Sequence, residues 1–189
     1  MKQYENKTYS HKVDAKGIIV SVSDNWLSFA QENFGDDSCL PENVIGTYLL
    51  DHIHDPETKH LYELILQKVR KYGRQVSFSF RCDSPDKRRF LKLSVIPQKD
   101  DLIEFRSQII KTELRDFVEL MRSDIERSEK HLRICSMCKK IAISKTEWEE
   151  AEIVIQQMRL FELEVLPQLS HGLCQPCYNG AIAELDSLK

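Results

Sequence analysis

Asp55-Pro56-Glu57-Thr58-Lys59-His60-Leu61-Tyr62-Glu63-Leu64-Ile65-Leu66-Gln67-Lys68-Val69-Arg70-Lys71-Tyr72-Gly73 reads as one long amphipathic helix. Pro56 stands in the first turn, where its missing N–H costs nothing. Leu61, Leu64, Ile65, Val69 and Tyr72 recur at helical spacing on one face, and Gly73 stops the helix. Three strand-like runs follow: Gln75–Cys82, Phe90–Ile96 and Leu102–Ile110. In the first, Val76, Phe78 and Phe80 alternate with polar residues. Asp83-Ser84-Pro85-Asp86 and Pro97–Asp101 are rich in turn residues, so the runs should form successive antiparallel hairpins. Lys87, Arg88 and Arg89, the one dense basic cluster, read as a solvated hairpin turn. Upstream of the helix, the β-branched stretch Gly17–Val22 reads as a strand. Ser23 or Asp24 should cap a short helix through Trp26, Leu27, Phe29 and Ala30, and Pro41–Gly46 turns into another.

This order of strand, short helices, long helix and three antiparallel strands resembles the PAS sensor fold over residues 10–110. Asp24-Asn25-Trp26 after the first strand and Val44-Ile45-Gly46 before the long helix carry the same resemblance. It implies an α+β fold, a PAS-like antiparallel sheet with flanking helices, and an input role whose ligand the alternation does not identify. Some PAS domains hold haem through a histidine on the long helix. His60 lies on the corresponding helix here, but His52, His54 and His60 read as solvated or boundary residues, and haem is not expected.

Residues 111–133 come next. Leu114, Val118, Met121, Ile125, Ser128 and Leu132 follow steps of 4, 3, 4, 3 and 4 between charged neighbours. That seam predicts a connector helix, read as a coiled coil that makes a homodimer. The other reading is a single helix packed on its own domain.

Residues 134–189 hold two Cys-x-x-Cys knuckles, Cys135-Ser-Met-Cys138 and Cys174-Gln-Pro-Cys177, separated by 35 residues. Two such pairs can complete the tetrahedral sulfur shell of a closed structural Zn²⁺ site. Core thiols, disulfides or a redox dithiol at the second knuckle are the competing readings. Thr146-Glu147-Trp148-Glu149 looks like a capping box opening a helix through Ala151, Ile155 and Met158. Phe161, Leu163 and Val165 alternate as a short strand, and Tyr178–Leu188 forms a terminal helix with Ile182 and Leu185 inward. Cys39 and Cys82 read as small residues without a metal role.

The run Ile134–Ile141, then Trp148, then Ser170-His171-Gly172-Leu173-Cys174-Gln175-Pro176-Cys177 resembles a cysteine-rich tail found at the ends of bacterial sensor proteins. Leu160–Val165 is more apolar than that pattern. The expected ligands are Cys135, Cys138, Cys174 and Cys177. His171 would then donate an N–H to a thiolate or brace the turn, and Lys139 and Lys140 would offset the charge of the centre.

A hydrophobic content of 41% suits a globular chain. The formal net charge is −3, and residues 111–189 carry 11 basic against 14 acidic side chains, so the balance offers no global attraction for nucleic acid or an anionic membrane. Glu147, Glu149, Glu150, Glu152, Glu162 and Glu164 argue further against nucleic acid. Met1–Lys7 lacks the apolar run of a signal peptide, and cysteine pairs in a reducing cytoplasm favour metal over disulfide. No phosphate loop, nucleophile elbow or paired-carboxylate motif suggests an enzyme. The expectation is a bacterial cytoplasmic sensory protein, with PAS input coupled through a helix to a structural-zinc module that docks a protein partner. The alternative is a thiol-zinc redox or metal sensor.

Overall fold

The structure, a computed structural model, describes residues 7–28 and 39–189. Phe29 and Ala30, expected in a short helix, lie outside these residues.

Strands β1 (Thr8–Val13) and β2 (Ile19–Val22) form a hairpin. Its turn is set by Asp14, whose Oδ1 accepts N–H bonds from Lys16 and Ile18, both at 2.9 Å. Gly17 closes the turn at φ +84°, and a Cβ there would stand 2.7 Å from the Tyr48 ring. Helix α1 (Pro41–Val44) and a 3₁₀ turn (Leu49–His52) lead to α2 (Pro56–Tyr72). Asp55 caps α2 by accepting the Thr58 N–H at 2.8 Å, and Gly73 ends it in the left-handed region. Strands β3 (Val76–Ser84), β4 (Lys87–Pro97) and β5 (Ile103–Leu114) complete an antiparallel sheet of order β2-β1-β5-β4-β3. Leu61, Ile65 and Val69 of α2 share one buried core with Val13, Phe78, Val95 and Phe105 of the sheet.

Strand β1 went unread in the sequence, and residues 111–133 overturn the connector helix. Strand β5 continues to Leu114, because the start of β4 supplies partners as far as Lys87. A 3₁₀ turn (Glu119–Met121) follows, and then strand β6 (Ser128–Cys135). The intervening loop is held through backbone oxygens: Arg115 Nη2 donates to Ser84 O at 2.8 Å, and Arg127 donates to Pro167 O and Leu120 O, each at 3.0 Å. Val118 and Leu120 are buried, but Leu114 is 77% exposed. The expected dimer seam therefore has no helix to carry it. Lys87, Arg88 and Arg89 are likewise the first residues of β4 rather than a solvated turn, and Arg89 is buried.

A second sheet has the order β8-β7-β6-β9, with β7 at Ile141–Ala142, β8 at Trp148–Glu149 and β9 at Pro167–Gly172. The expected capping box is a strand at Trp148, and a Ser–Glu contact of similar spacing sits two residues earlier. Ser144 Oγ accepts the Glu147 N–H at 3.1 Å and faces the Glu147 carboxylate at 3.4 Å. Helix α3 (Ala151–Gln157) follows, and Arg159 in the left-handed region breaks the chain into a 3₁₀ turn (Leu160–Glu162) where a strand was expected. Helix α4 (Gln175–Asp186) starts three residues before its expected start. It packs on α2 and β3, and its Ala181 and Leu185, with Leu188 beyond its end, join the core of the first sheet. A smaller core of Val118, Leu120, Leu132, Ile134, Ile141, Ala151, Val154 and Leu160 fills the space beneath the second sheet. Among the described residues no helix is long and apolar enough to cross a membrane.

Candidate metal centre

The two knuckles meet because β6 and β9 are parallel neighbours. Cys135 at the end of β6 lies opposite Gly172 at the end of β9, so both chains leave the sheet at the same edge. Ser136 N–H then donates to Gly172 O at 2.8 Å. The first knuckle closes on itself: Cys135 N–H bonds Lys140 O at 2.8 Å, and Lys139 N–H bonds Cys135 O at 3.0 Å. Lys139 adopts φ +61° to make that turn, and its Nζ reaches Ser136 O at 3.0 Å. The second knuckle opens α4, with Cys174 as N-cap and Pro176 in the first turn.

The four Sγ atoms of Cys135, Cys138, Cys174 and Cys177 all lie within 4.8 Å of one another. Cys174 Sγ is 3.7 Å from both Cys135 Sγ and Cys138 Sγ. A tetrahedral ion with metal–sulfur bonds of about 2.3 Å has sulfur–sulfur edges of about 3.8 Å, so this quartet has the size and donor set to hold a metal ion such as zinc. Cys135 and Cys174 are buried, while Cys138 and Cys177 are half-buried. Hydrogen bonds from Cys138 and Cys177 hold the Cys135 thiol well below its ordinary range. The bond with Cys135 pushes Cys138 up to about 12, and bonds with Cys135 and Cys138 push Cys177 upward as well. Like charges so close cannot all form unaided; a divalent cation removes that conflict.

His171 is not among the clustered donors, and among the described residues it makes no hydrogen bond to a thiol. Burial and the nearby charge of Lys139 lower its pKa. A sulfur receives a backbone donor instead: Cys174 N–H reaches Cys135 Sγ at 3.5 Å. His171 shares an open cleft with His52, His54 and Ser136. His52 Nε2 lies 2.7 Å from Thr47 Oγ1, and His60 is exposed, 3.7 Å from Glu63.

Both knuckles grip the first turn of α2. Ser136 Oγ bonds Thr58 Oγ1 at 3.1 Å and Asp55 Oδ2 at 3.3 Å. Glu57 Oε2 accepts the Leu173 N–H at 2.9 Å and pairs with Arg133, whose guanidinium lies 5.8 Å from the Trp148 ring centroid. On β3, Arg81 N–H donates to Met137 O at 2.7 Å, and its side chain bridges Asp83 and Glu150. The expected acidic face is thus partly spent on the joint: Arg88 and Arg115 pair with Glu152 as well.

A cavity of about 280 Å³ lies between α2 and the first sheet, and Ser136 and Met137 form part of its wall. Cys82 lines it too, and burial raises its thiol pKa. The histidine on this cavity is His11, which the sequence reading missed. Its ring stacks on Phe105 at 4.9 Å, and Phe105 stacks on Tyr62 at 5.8 Å. Tyr9, His11 and Val13 alternate with Thr8, Ser10 and Lys12, a period-2 signal that was there to be found.

No family model matches the chain, and no curated protein matches it. Among solved structures, the chain is similar to a domain of an HTR-like protein from Haloarcula marismortui ATCC 43049. The two are 18% identical, the match covers 55% of this chain and 98% of that one, and the TM-score is 0.38.

Proposed function

We propose that this chain is a cytoplasmic sensory or regulatory protein in which a PAS-like input domain is joined to a structural Zn²⁺ module held by Cys135, Cys138, Cys174 and Cys177. The strand order β2-β1-β5-β4-β3 with α2 across it supports the PAS-like reading. One observation carries the coupling: the first turn of α2 is bonded to Ser136 of one knuckle and to the Leu173 N–H beside the other. A shift in the input core is then a shift at the metal centre. Four protein ligands leave a zinc ion no open position, so its role is to hold the fold rather than to do chemistry.

Output is docking of a protein partner, not catalysis. A groove of about 590 Å³ lined by Phe117, Leu120, Ile125, Phe161 and Val165 carries Glu119, Glu126 and Glu164 among its walls. Phe161 is 67% exposed there. That chemistry suits a basic amphipathic segment. A lysine-rich amphipathic peptide should bind, and Phe161→Asp should abolish its binding while leaving the metal content intact; unchanged binding rejects the groove.

The test of the whole reading is metal content by mass spectrometry, followed by a mild peroxide challenge on the same sample. One zinc per chain, retained with its thiols reduced, is the expected result. The half-buried Cys138 and Cys177 favour one alternative, a thiol-zinc redox sensor, which zinc loss in step with thiol oxidation would establish. A metal-free chain that forms disulfides overturns both.

A further inference from the structure

We propose that the cavity between α2 and the first sheet binds a one- or two-ring aromatic molecule carrying a single hydrogen-bonding group, and that the first knuckle is one of its walls, so cavity occupancy and metal occupancy are linked. This inference rests on the sulfur-site reading above and extends it to a ligand class and a coupling.

Size sets the first limit. The cavity, about 280 Å³, exceeds the roughly 150 Å³ that benzene fills and sits just under the roughly 300 Å³ where drug-sized pockets begin. Its walls are chiefly apolar, with Trp26, Phe78, Leu93 and Met137 among them, and such a space favours a flat, apolar guest. The polar anchor is His11. Its Nε2 is buried and has no hydrogen-bond partner among the described residues. Burial, together with His52, lowers its pKa to about 4, so the ring is neutral near pH 7. A buried polar atom without a partner is costly, and a ligand hydroxyl, which can donate or accept, removes that cost for either tautomer.

The wall supplies the link. Ser136 and Met137, the two residues between Cys135 and Cys138, line the cavity. The Met137 carbonyl holds β3 through Arg81, and the Ser136 hydroxyl holds α2 through Thr58 and Asp55. A metal ion that fixes both cysteines fixes this wall. Any ligand that prefers the fixed wall must tighten metal binding by the same factor.

The experiment titrates 2-naphthol, and naphthalene as the control without a hydroxyl, into the full chain of measured metal content, before and after chelation. In the loaded chain 2-naphthol should bind about tenfold more tightly than naphthalene, and His11→Phe should erase that preference while naphthalene still binds. Chelation should weaken both by about fivefold or more. Because a chelated chain can lose its fold, Met137→Ala provides a second arm: it should weaken both ligands with one metal still bound per chain. Failure of either ligand to bind the loaded chain overturns the site. Equal affinity with and without metal, with Met137→Ala unchanged, overturns the link alone. A chain that takes up no metal yet binds 2-naphthol through His11 overturns the sulfur-site reading and the link, and leaves the cavity site standing.

Discussion

The two sheets of this protein are organised by different physics. In the first, β3, β4 and β5 are 9, 11 and 12 residues long and pair in sequence order. Their inward side chains, Phe78, Leu93, Val95 and Phe105, build a core directly against α2. In the second, β7 and β8 are two residues each, and the main pairing is parallel, between β6 and a strand more than thirty residues further along. Its own core is small. What it has in exchange is a sulfur quartet and a set of polar ties to α2 and β3. An apolar core large enough to close needs no cross-link; a short, parallel, crossover-linked sheet with a small core is one that a metal ion held by this quartet would complete.

The largest test breaks the second region selectively. Structural zinc contributes apparent free energies on the order of 10 kcal/mol. Cys174→Ser should therefore abolish stoichiometric metal binding and strip hydrogen-exchange protection from β6, β9 and α4, while amides of β4 and β5 stay protected. Protection retained in β9 would reject the metal's structural role. The next test cuts the joint. Arg81 is wedged between Asp83, whose side chain is 1% exposed, and Glu150. Arg81→Met leaves a buried carboxylate without its main partner and should cost about 3–5 kcal/mol in urea unfolding; a loss below about 1 kcal/mol would show that the joint is held elsewhere.

The smallest effect belongs to the first region alone. Burial first, then the charge of His52, lowers His11 from 6.5 to about 4. Between those values the unfolded chain takes up a proton that the folded chain refuses. Stability conferred by the neutral ring is thus full above pH 6.5 and falls by up to about 3 kcal/mol as pH drops toward 4. Subtracting the unfolding free energies of His11→Phe from those of the parent at pH 4.5 and pH 7 isolates this term. Parallel curves would remove His11 as its source.

Local chemistry was legible in the sequence and distant chemistry was not. Asp55, Pro56 and Gly73 fix the ends of α2 by their own backbone preferences, and Leu61, Ile65 and Val69 mark its buried face in steps of four residues. The four cysteines could be grouped from spacing alone, and the structure brings them together. Residues 114–132 misled because the seam counted apolar positions and ignored what the arginines bind. Arg115 and Arg127 are satisfied by Ser84, Leu120 and Pro167 carbonyls, partners that no local period reveals. His11 was overlooked because a polar residue at an inward position weakens, without erasing, the alternation of β1. The grip on the first turn of α2 by residues at 133, 136 and 173 is invisible in sequence for the same reason: it joins positions that proximity along the chain never compares.

Those long reaches also set an order of assembly. Helix α2 has its own cap and stop and can form early, yet Glu57 waits for a backbone N–H 116 positions later, and Lys68 for Asp186, 118 positions later, at 2.7 Å. Closing such loops adds little to the equilibrium cost but slows the search for the native state. Until α4 arrives, the flank of α2 that it covers stands open to solvent, an adhesive surface on an otherwise folded sheet. Those separations predict that docking of α4 comes late in folding, which amide protection gained last in α4 during refolding would bear out.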